Sequence, residues 1–110
     1  MRMIIDQLKA LGEDNRFRIA MMLLSRPLCV CEIHHLLNIS GATLSNHLKI
    51  LKYSGIVKSR REGKWIEYDV KDDAIRELLT DIRKRVDDDS IISNDAQELK
   101  TISRDLCKTG

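Results

Sequence analysis

Residues 29–68 read CVCEIHHLLNISGATLSNHLKILKYSGIVKSRREGKWIEY. Two cysteines, Cys29 and Cys31, open the stretch. Behind them Glu32–Leu37 has the length and spacing of a short helix, with Ile33, Leu36 and Leu37 turned inward and Asn38 closing it. Ser40 stands where a hydroxyl satisfies an orphan N–H of a first turn, so it caps a further helix running to about Ser54. Leu44, Leu48 and Leu51 recur at i, i+4 and i+7, the stripe of a half-buried helix. Gly55 occupies the C′ position. Two helices joined by a turn of about three residues make a helix-turn-helix. Ile56–Arg61 and Lys64–Val70 then read as strands, on the β-propensity of Trp65, Ile66, Tyr68 and Val70. Glu62-Gly63 is the expected turn, with a three-residue loop holding Gly63 left-handed as the alternative. A hairpin in this place is the wing of a winged helix.

The flanks extend the helical pattern. Met3, Ile4, Leu8 and Leu11 share one face of a first helix that Gly12 ends. Asp14 is the expected N-cap of a second helix reaching about Ser25, with Phe17, Ala20, Leu23 and Leu24 as its stripe and Pro27 stopping it. Beyond the wing, Asp72 or Asp73 caps a fifth helix to about Val86. Its stripe of Ile75, Leu78, Leu79, Ile82 and Val86 is wider than a small core absorbs, which makes this helix and the first candidate dimer faces. Asp87–Asp89 marks a break. Asn94 or Asp95 is placed to cap a last helix to about Leu106, with Leu99, Ile102 and Leu106 on one side. The expected fold is mainly α with a β-hairpin wing: a dimeric winged helix-turn-helix over residues 1–89, with a C-terminal helical tail, 90–110, carrying Cys107.

Composition agrees with one soluble domain. The 110 residues are 43% hydrophobic and 33% charged, with a single proline and five glycines. No apolar run approaches the ~18 residues of a membrane span, and no signal-peptide pattern opens the chain, so a cytoplasmic protein is expected. Residues 1–71 hold 12 Lys/Arg against 7 Asp/Glu, a net of +5, and residues 72–110 hold 7 against 10, a net of −3. Basic residues gathered in the helix-turn-helix and wing suit a polyanion. A recognition helix puts short polar side chains against base edges and phosphates. The candidates here are Ser40, Thr43, Ser45, Asn46 and His47. Asn46 is suited to bidentate pairing with adenine, and His47 alternatively ties the helix to its neighbour. Lys49, Lys52, Arg60, Arg61 and Lys64 are placed to neutralise phosphates.

The three cysteines, Cys29, Cys31 and Cys107, are an odd number in a reducing compartment and point to thiol chemistry or metal ligation rather than a disulfide framework, with plain packing as the bland alternative. Residues i and i+2 diverge by about 200° in a helix and share a face in a strand. Cys29 and Cys31 fall at a helix edge where either geometry is accessible. Soft ions are what thiolates select. His34 and His35, at i+3 and i+4 from Cys31, are possible further ligands, and a Cys/His set favours zinc or cadmium; half-exposed polar residues are the commoner role of such histidines. An enzyme is not expected, because nucleophile elbow, phosphate loop and paired carboxylates are all missing from the sequence.

The strings L-C-V-C-E, S-G-A-T-L-S-N-H-L-K-I-L, S-G-I-V and R-R-E-G-K-W-I-E-Y together resemble the ArsR/SmtB family of winged-helix repressors, over roughly Met3–Val86. The similarity is greatest to its arsenical-responsive and cadmium/lead-responsive branches. The resemblance implies a homodimer through the first and fifth helices, bound to palindromic double-stranded operator DNA. It implies As(III) or Sb(III) as inducer, held by Cys29 and Cys31, with no organic cofactor. In the arsenical pattern a third cysteine often stands three residues after the second; this chain has His34 there, leaving Cys107 or His34 as the third ligand. A thiol redox or persulfide-responsive repressor, or one responding to cadmium, lead or zinc, uses the same cysteines.

Overall fold

The computed structural model describes residues 1–87 and 90–107, with backbone alone at 106 and 107. Its order is α1 (Arg2–Leu11), α2 (Asp14–Ser25), β1 (Leu28–Cys29), α3 (Val30–Leu36), α4 (Gly41–Tyr53), β2 (Val57–Glu62), β3 (Trp65–Val70), α5 (Asp73–Arg83), α6 (Ile91–Leu99) and a 3₁₀ turn (Arg104–Cys107). This is a winged helix-turn-helix: α3 and α4 form the helix pair, and β2–β3 the wing.

α2 is the central post. Ile19, Ala20, Met22 and Leu23 are buried outright, and α1, α4, α5, α6 and β3 all pack on it. Its N-cap is Glu13, whose carboxylate accepts from Arg16 N at 2.8 Å. The expected cap, Asp14, is instead the first helical residue, where its charge still suits the dipole. α3 starts at Val30, two residues earlier than Glu32, because Glu32 reaches back to the amide of Cys29. Ser40 caps α4 as expected.

The sheet is three-stranded and antiparallel in the order β1-β3-β2. β1 was not expected: two residues have no periodicity to read. It pairs Leu28 with Tyr68 and Cys29 with Glu67. Glu62 pairs with Trp65, so the wing turn is Gly63-Lys64 rather than Glu62-Gly63. Of these two turn residues Gly63 takes the positive φ, 63°, the pattern of a two-residue turn with glycine first.

The C-terminal region also departs from expectation. α6 begins after Ser90, whose hydroxyl accepts from Ser93 N, and ends at Leu99. A separate 3₁₀ turn follows instead of a continuous helix. Asp95 is therefore inside α6, where it forms a buried fork with Arg18 of α2: Nε to Oδ2 and Nη2 to Oδ1, each 2.9 Å. Leu106, expected on the inner face, and Asp88–Asp89 of the acidic break lie outside the described side chains and residues.

Much of the α5 stripe is spent inside the chain, Ile75 and Leu79 being buried and Ile82 and Val86 packed against the core. The exposed large apolar side chains among the described residues include Met3, Ile4 and Leu8 of α1, exposed by 69%, 44% and 54%, beside Met1, Tyr53, Ile66 and Ile91. Among the described residues no helix is long and apolar enough to cross a membrane.

Removing one partner of a buried ion pair strands the other, at a cost of about 3 kcal/mol. Asp95→Ala should lower the unfolding free energy by that amount, read as a lower urea midpoint in a single cooperative transition. An unchanged midpoint would mean that α6 adds nothing to the fold.

Candidate nucleic-acid interface and thiol site

α4 turns Leu44, His47, Leu48 and Leu51 inward. The opposite face is open and carries Thr43, Ser45, Asn46 and Lys49, preceded by exposed Ser40. The Ser40 hydroxyl accepts from Thr43 N at 3.1 Å and donates to Thr43 Oγ1 at 2.9 Å. Both hydroxyls are thus set at the helix start, where backbone N–H groups and the dipole favour phosphate.

His47 sits apart from this set. Its side chain is buried, and Nδ1 lies 3.2 Å from Arg16 Nη1. A guanidinium only donates, so Nδ1 accepts and the ring proton of the neutral form is on Nε2, which faces Glu13 Oε2 at 3.9 Å. Arg16 Nε in turn donates to Ala10 O at 2.7 Å. This places His47 in the second of its two expected roles, tying α4 to α2 and α1.

In the wing, Arg61 and Lys64 are exposed near the tip. Lys52 Nζ donates to Ser59 Oγ at 2.8 Å, joining α4 to β2. Arg60 differs from the free cation expected: its Nε is 3.0 Å from Glu67 Oε1 and its Nη2 3.4 Å from Glu62 Oε2.

The cysteines stand at the joint between β1 and α3. Cys29 is extended (φ −77°, ψ 156°) and caps α3, whereas Cys31 is already helical. They therefore do not share an extended face. Cys29 is a free, buried thiol, and its amide donates to Glu32 Oε1 at 2.8 Å. Burial pushes this thiol above its ordinary pKa; Arg104 pulls it down and Glu32 adds to the rise. Cys31 is disulfide-bonded. The side chain of Cys107, the expected third ligand, lies outside those described, but the turn that bears it packs on α3.

A cavity of about 310 Å³ opens between Cys29, Cys31 and His34 on one side and Lys64, Trp65 and Ile66 on the other. His34 Nε2 lies 2.8 Å from Ile39 O. A carbonyl only accepts, so Nε2 carries the proton and Nδ1 is left with its lone pair, the arrangement in which a histidine ligates through one nitrogen and is oriented by the other. The cavity wall was beyond sequence reasoning, since it depends on β3 folding back over α3.

A model of the bacterial regulatory protein arsR family matches residues 13–59, from the cap of α2 into β2. The chain is 43% identical over 72 residues to the cadmium resistance transcriptional regulatory protein CadC homolog of Staphylococcus aureus, covering 64% of this chain and 60% of that protein. It is 31% identical over 77 residues to the arsenical resistance operon repressor of Bacillus subtilis, covering 69% and 73%. The fold matches that of a homodimeric winged helix-turn-helix DNA-binding domain from Mycobacterium bovis with TM-score 0.73 and 25% identity, over 79% of this chain and 81% of that one. The chain thus spans less than two thirds of the length of the cadmium-resistance relative.

A buried thiol with a raised pKa is poorly nucleophilic at neutral pH. Iodoacetamide treatment of the reduced native protein, read by peptide mapping, should leave Cys29 unmodified at pH 7 and label it only above the ordinary thiol range. Rapid labelling at pH 7 would contradict the packed cap.

Proposed function

Because the chain belongs to the arsR family of bacterial regulatory proteins, whose fold is that of DNA-binding transcriptional regulators rather than enzymes, we propose that it is a cytoplasmic homodimeric repressor. It binds a palindromic operator and is released when As(III) or Sb(III) binds the thiolates of Cys29 and Cys31. The observation carrying this reading is the position of the two thiols. They bracket the first turn of α3, one turn ahead of the open face of α4, and border a cavity that also holds His34.

On the DNA side, Asn46 reads a base, Ser40, Thr43 and Ser45 meet phosphates or base edges, and Lys49, Arg61 and Lys64 neutralise phosphates. His47 sets the rotation of α4. Two such units related by a two-fold axis address half-sites about one helical turn apart. The exposed Met3, Ile4 and Leu8 support α1 as the greater part of the dimer contact, with what α5 leaves uncovered beside it.

On the sensor side, two sulfurs at an extended cap and the second helical residue meet on one ion only if the first turn of α3 unwinds. α3 has seven residues, too few to be stable alone, so its first turn depends on the Glu32 anchor at the Cys29 amide, which the rearrangement must displace. Cys107 or the open Nδ1 of His34 completes the set. Binding and DNA affinity are then reciprocally coupled.

Two other readings each have an observation behind them. The disulfide at Cys31 favours a redox switch, in which two thiols are oxidised by a peroxide or persulfide that is itself reduced. The likeness to a cadmium resistance regulator favours cadmium, lead or zinc at the same cysteines.

The test is fluorescence anisotropy of the reduced protein on a palindromic fragment from its own promoter. Arsenite should dissociate the wild type, and Cys29→Ser or Cys31→Ser should keep operator affinity within about threefold yet abolish release. Release by cadmium or by persulfide alone would replace the inducer; release of either mutant by arsenite would remove the paired-thiol site. In the same assay Arg61→Ala should make the slope of log K against log salt shallower by about one. An unchanged slope would take Arg61 off the phosphates.

A further inference from the structure

Arg104 is neither a candidate ligand of the thiol site nor on the open face of α4, yet it sits on the wing. Its Nη2 is 2.9 Å from Glu67 Oε2 and 3.5 Å from Glu62 Oε2. Its guanidinium carbon is 5.1 Å from the centroid of the Trp65 ring, and Lys64 Nζ is 5.1 Å from the same centroid. Arg60 is directly opposite Glu67, and Glu62 opposite Trp65, so all four project from one face of the hairpin. Arg104 closes over that face from a turn that also packs on α3, and its charge is felt at Cys29.

The charges make this contact consequential. Glu62 and Glu67 are carboxylates on the element expected to approach a polyanion. Arg60 and Arg104 share them, one from within the hairpin and one from the chain's end. With Arg104 docked, this group of four is neutral. Without it the group is net negative, and both carboxylates fall back on Arg60 alone. A planar guanidinium also stacks on an indole while its fork serves carboxylates, which a lysine does less well.

We propose that Arg104 is a positioning residue of the wing: the 3₁₀ turn at Arg104–Cys107 clamps the Trp65–Glu67 face, neutralises its two glutamates, and holds the hairpin at the angle from which Arg61 and Lys64 meet the DNA backbone. The C-terminal turn is thereby part of the DNA-binding machinery. This rests on the wing being a DNA-contacting element, and it is independent of which inducer acts.

Trp65 is the only tryptophan of the chain, so its emission reports the clamp directly. In free Arg104→Gln protein the emission should move to longer wavelength as the ring loses its cover. Operator affinity should fall about 10-fold at low salt, with the salt slope shallower by roughly one. Arg104→Lys, keeping the charge without the fork, should recover most of the slope and only part of the emission. Adding Glu67→Gln to Arg104→Gln should restore affinity, because the carboxylate that Arg104 no longer neutralises is gone. Unchanged emission in Arg104→Gln would overturn the proposal, as would changed emission with wild-type affinity. Lost affinity that Glu67→Gln does not rescue would make Arg104 a direct phosphate contact and would also overturn it. Failure of the wing reading would show separately, as wild-type DNA binding by Arg61→Ala, since the emission is measured without DNA.

Discussion

The fold depends on arginines that cap helix ends from the side. The last carbonyls of a helix lack intrahelical partners and carry the negative end of its dipole. Here Arg16 donates to Ala10 O at the end of α1, and Arg18 to Leu36 O at the end of α3. Arg26 donates to Leu99 O at the end of α6 and to Ile102 O beyond it. α2, which supplies or adjoins all three, has its own Leu24 O taken by Arg76 of α5. A post as buried as α2 leaves little room for water at these ends, so the donors must come from the protein. The guanidinium fork serves a carbonyl and a second partner at once: His47 for Arg16, Asp95 for Arg18, Glu32 for Arg26. Lysine, a point donor, does this poorly.

The same fact explains what was legible in the sequence. Elements with a period could be read. Leu44, Leu48 and Leu51 located α4, and β-propensity around Trp65 located the wing. Ser40 and Asp72 announced their helices because a cap is a local interaction between a side chain and an amide three residues on. Arginine caps carry no such signal, since the partner is a backbone carbonyl brought near only by the tertiary fold. The pairing of Arg60 with Glu67 was illegible for the same reason: the two lie across a hairpin, and strand pairing was needed to bring them together. The start of α6 was misplaced because Ser90, Asn94 and Asp95 are all credible caps. What decided between them was Arg18, which draws Asp95 into the helix face.

The cysteine pair shows how a three-residue motif can be recognised without its geometry. C-V-C fits a strand or a helix edge, and the structure divides it between the two. Glu32 makes the division: its Oε1 accepts from the Cys29 amide while its Oε2 is 3.0 Å from Arg26 Nη1. This carboxylate is buried and paired, so it is costly to displace. Any chemistry that draws the two sulfurs together must therefore move a joint that also holds Leu99 and Ile102 through Arg26. Cys29 is in register with Glu67 of β3 as well. The thiol site is thus placed on the attachment of α3 to the sheet, not on a loose surface loop, and its motion is shared with the wing strand.

The distribution of charge completes the physical picture. The basic excess falls in residues 1–71 and the acidic excess in residues 72–110. Folding does not keep the two apart: α6 lies on α2, and the last turn lies on α3 and reaches the wing through Arg104. A wholly acidic tail so placed would set carboxylates beside the wing, the element proposed to meet DNA. Instead, the residue of that segment that reaches the wing is Arg104, a cation, while Asp95 is directed inward to Arg18 and away from that surface. Net charge alone, +2, would not reveal such an arrangement. It is the pairing of Glu62 and Glu67 with Arg60 and Arg104, and of Asp95 with Arg18, that leaves the exposed faces of α4 and the wing tip basic.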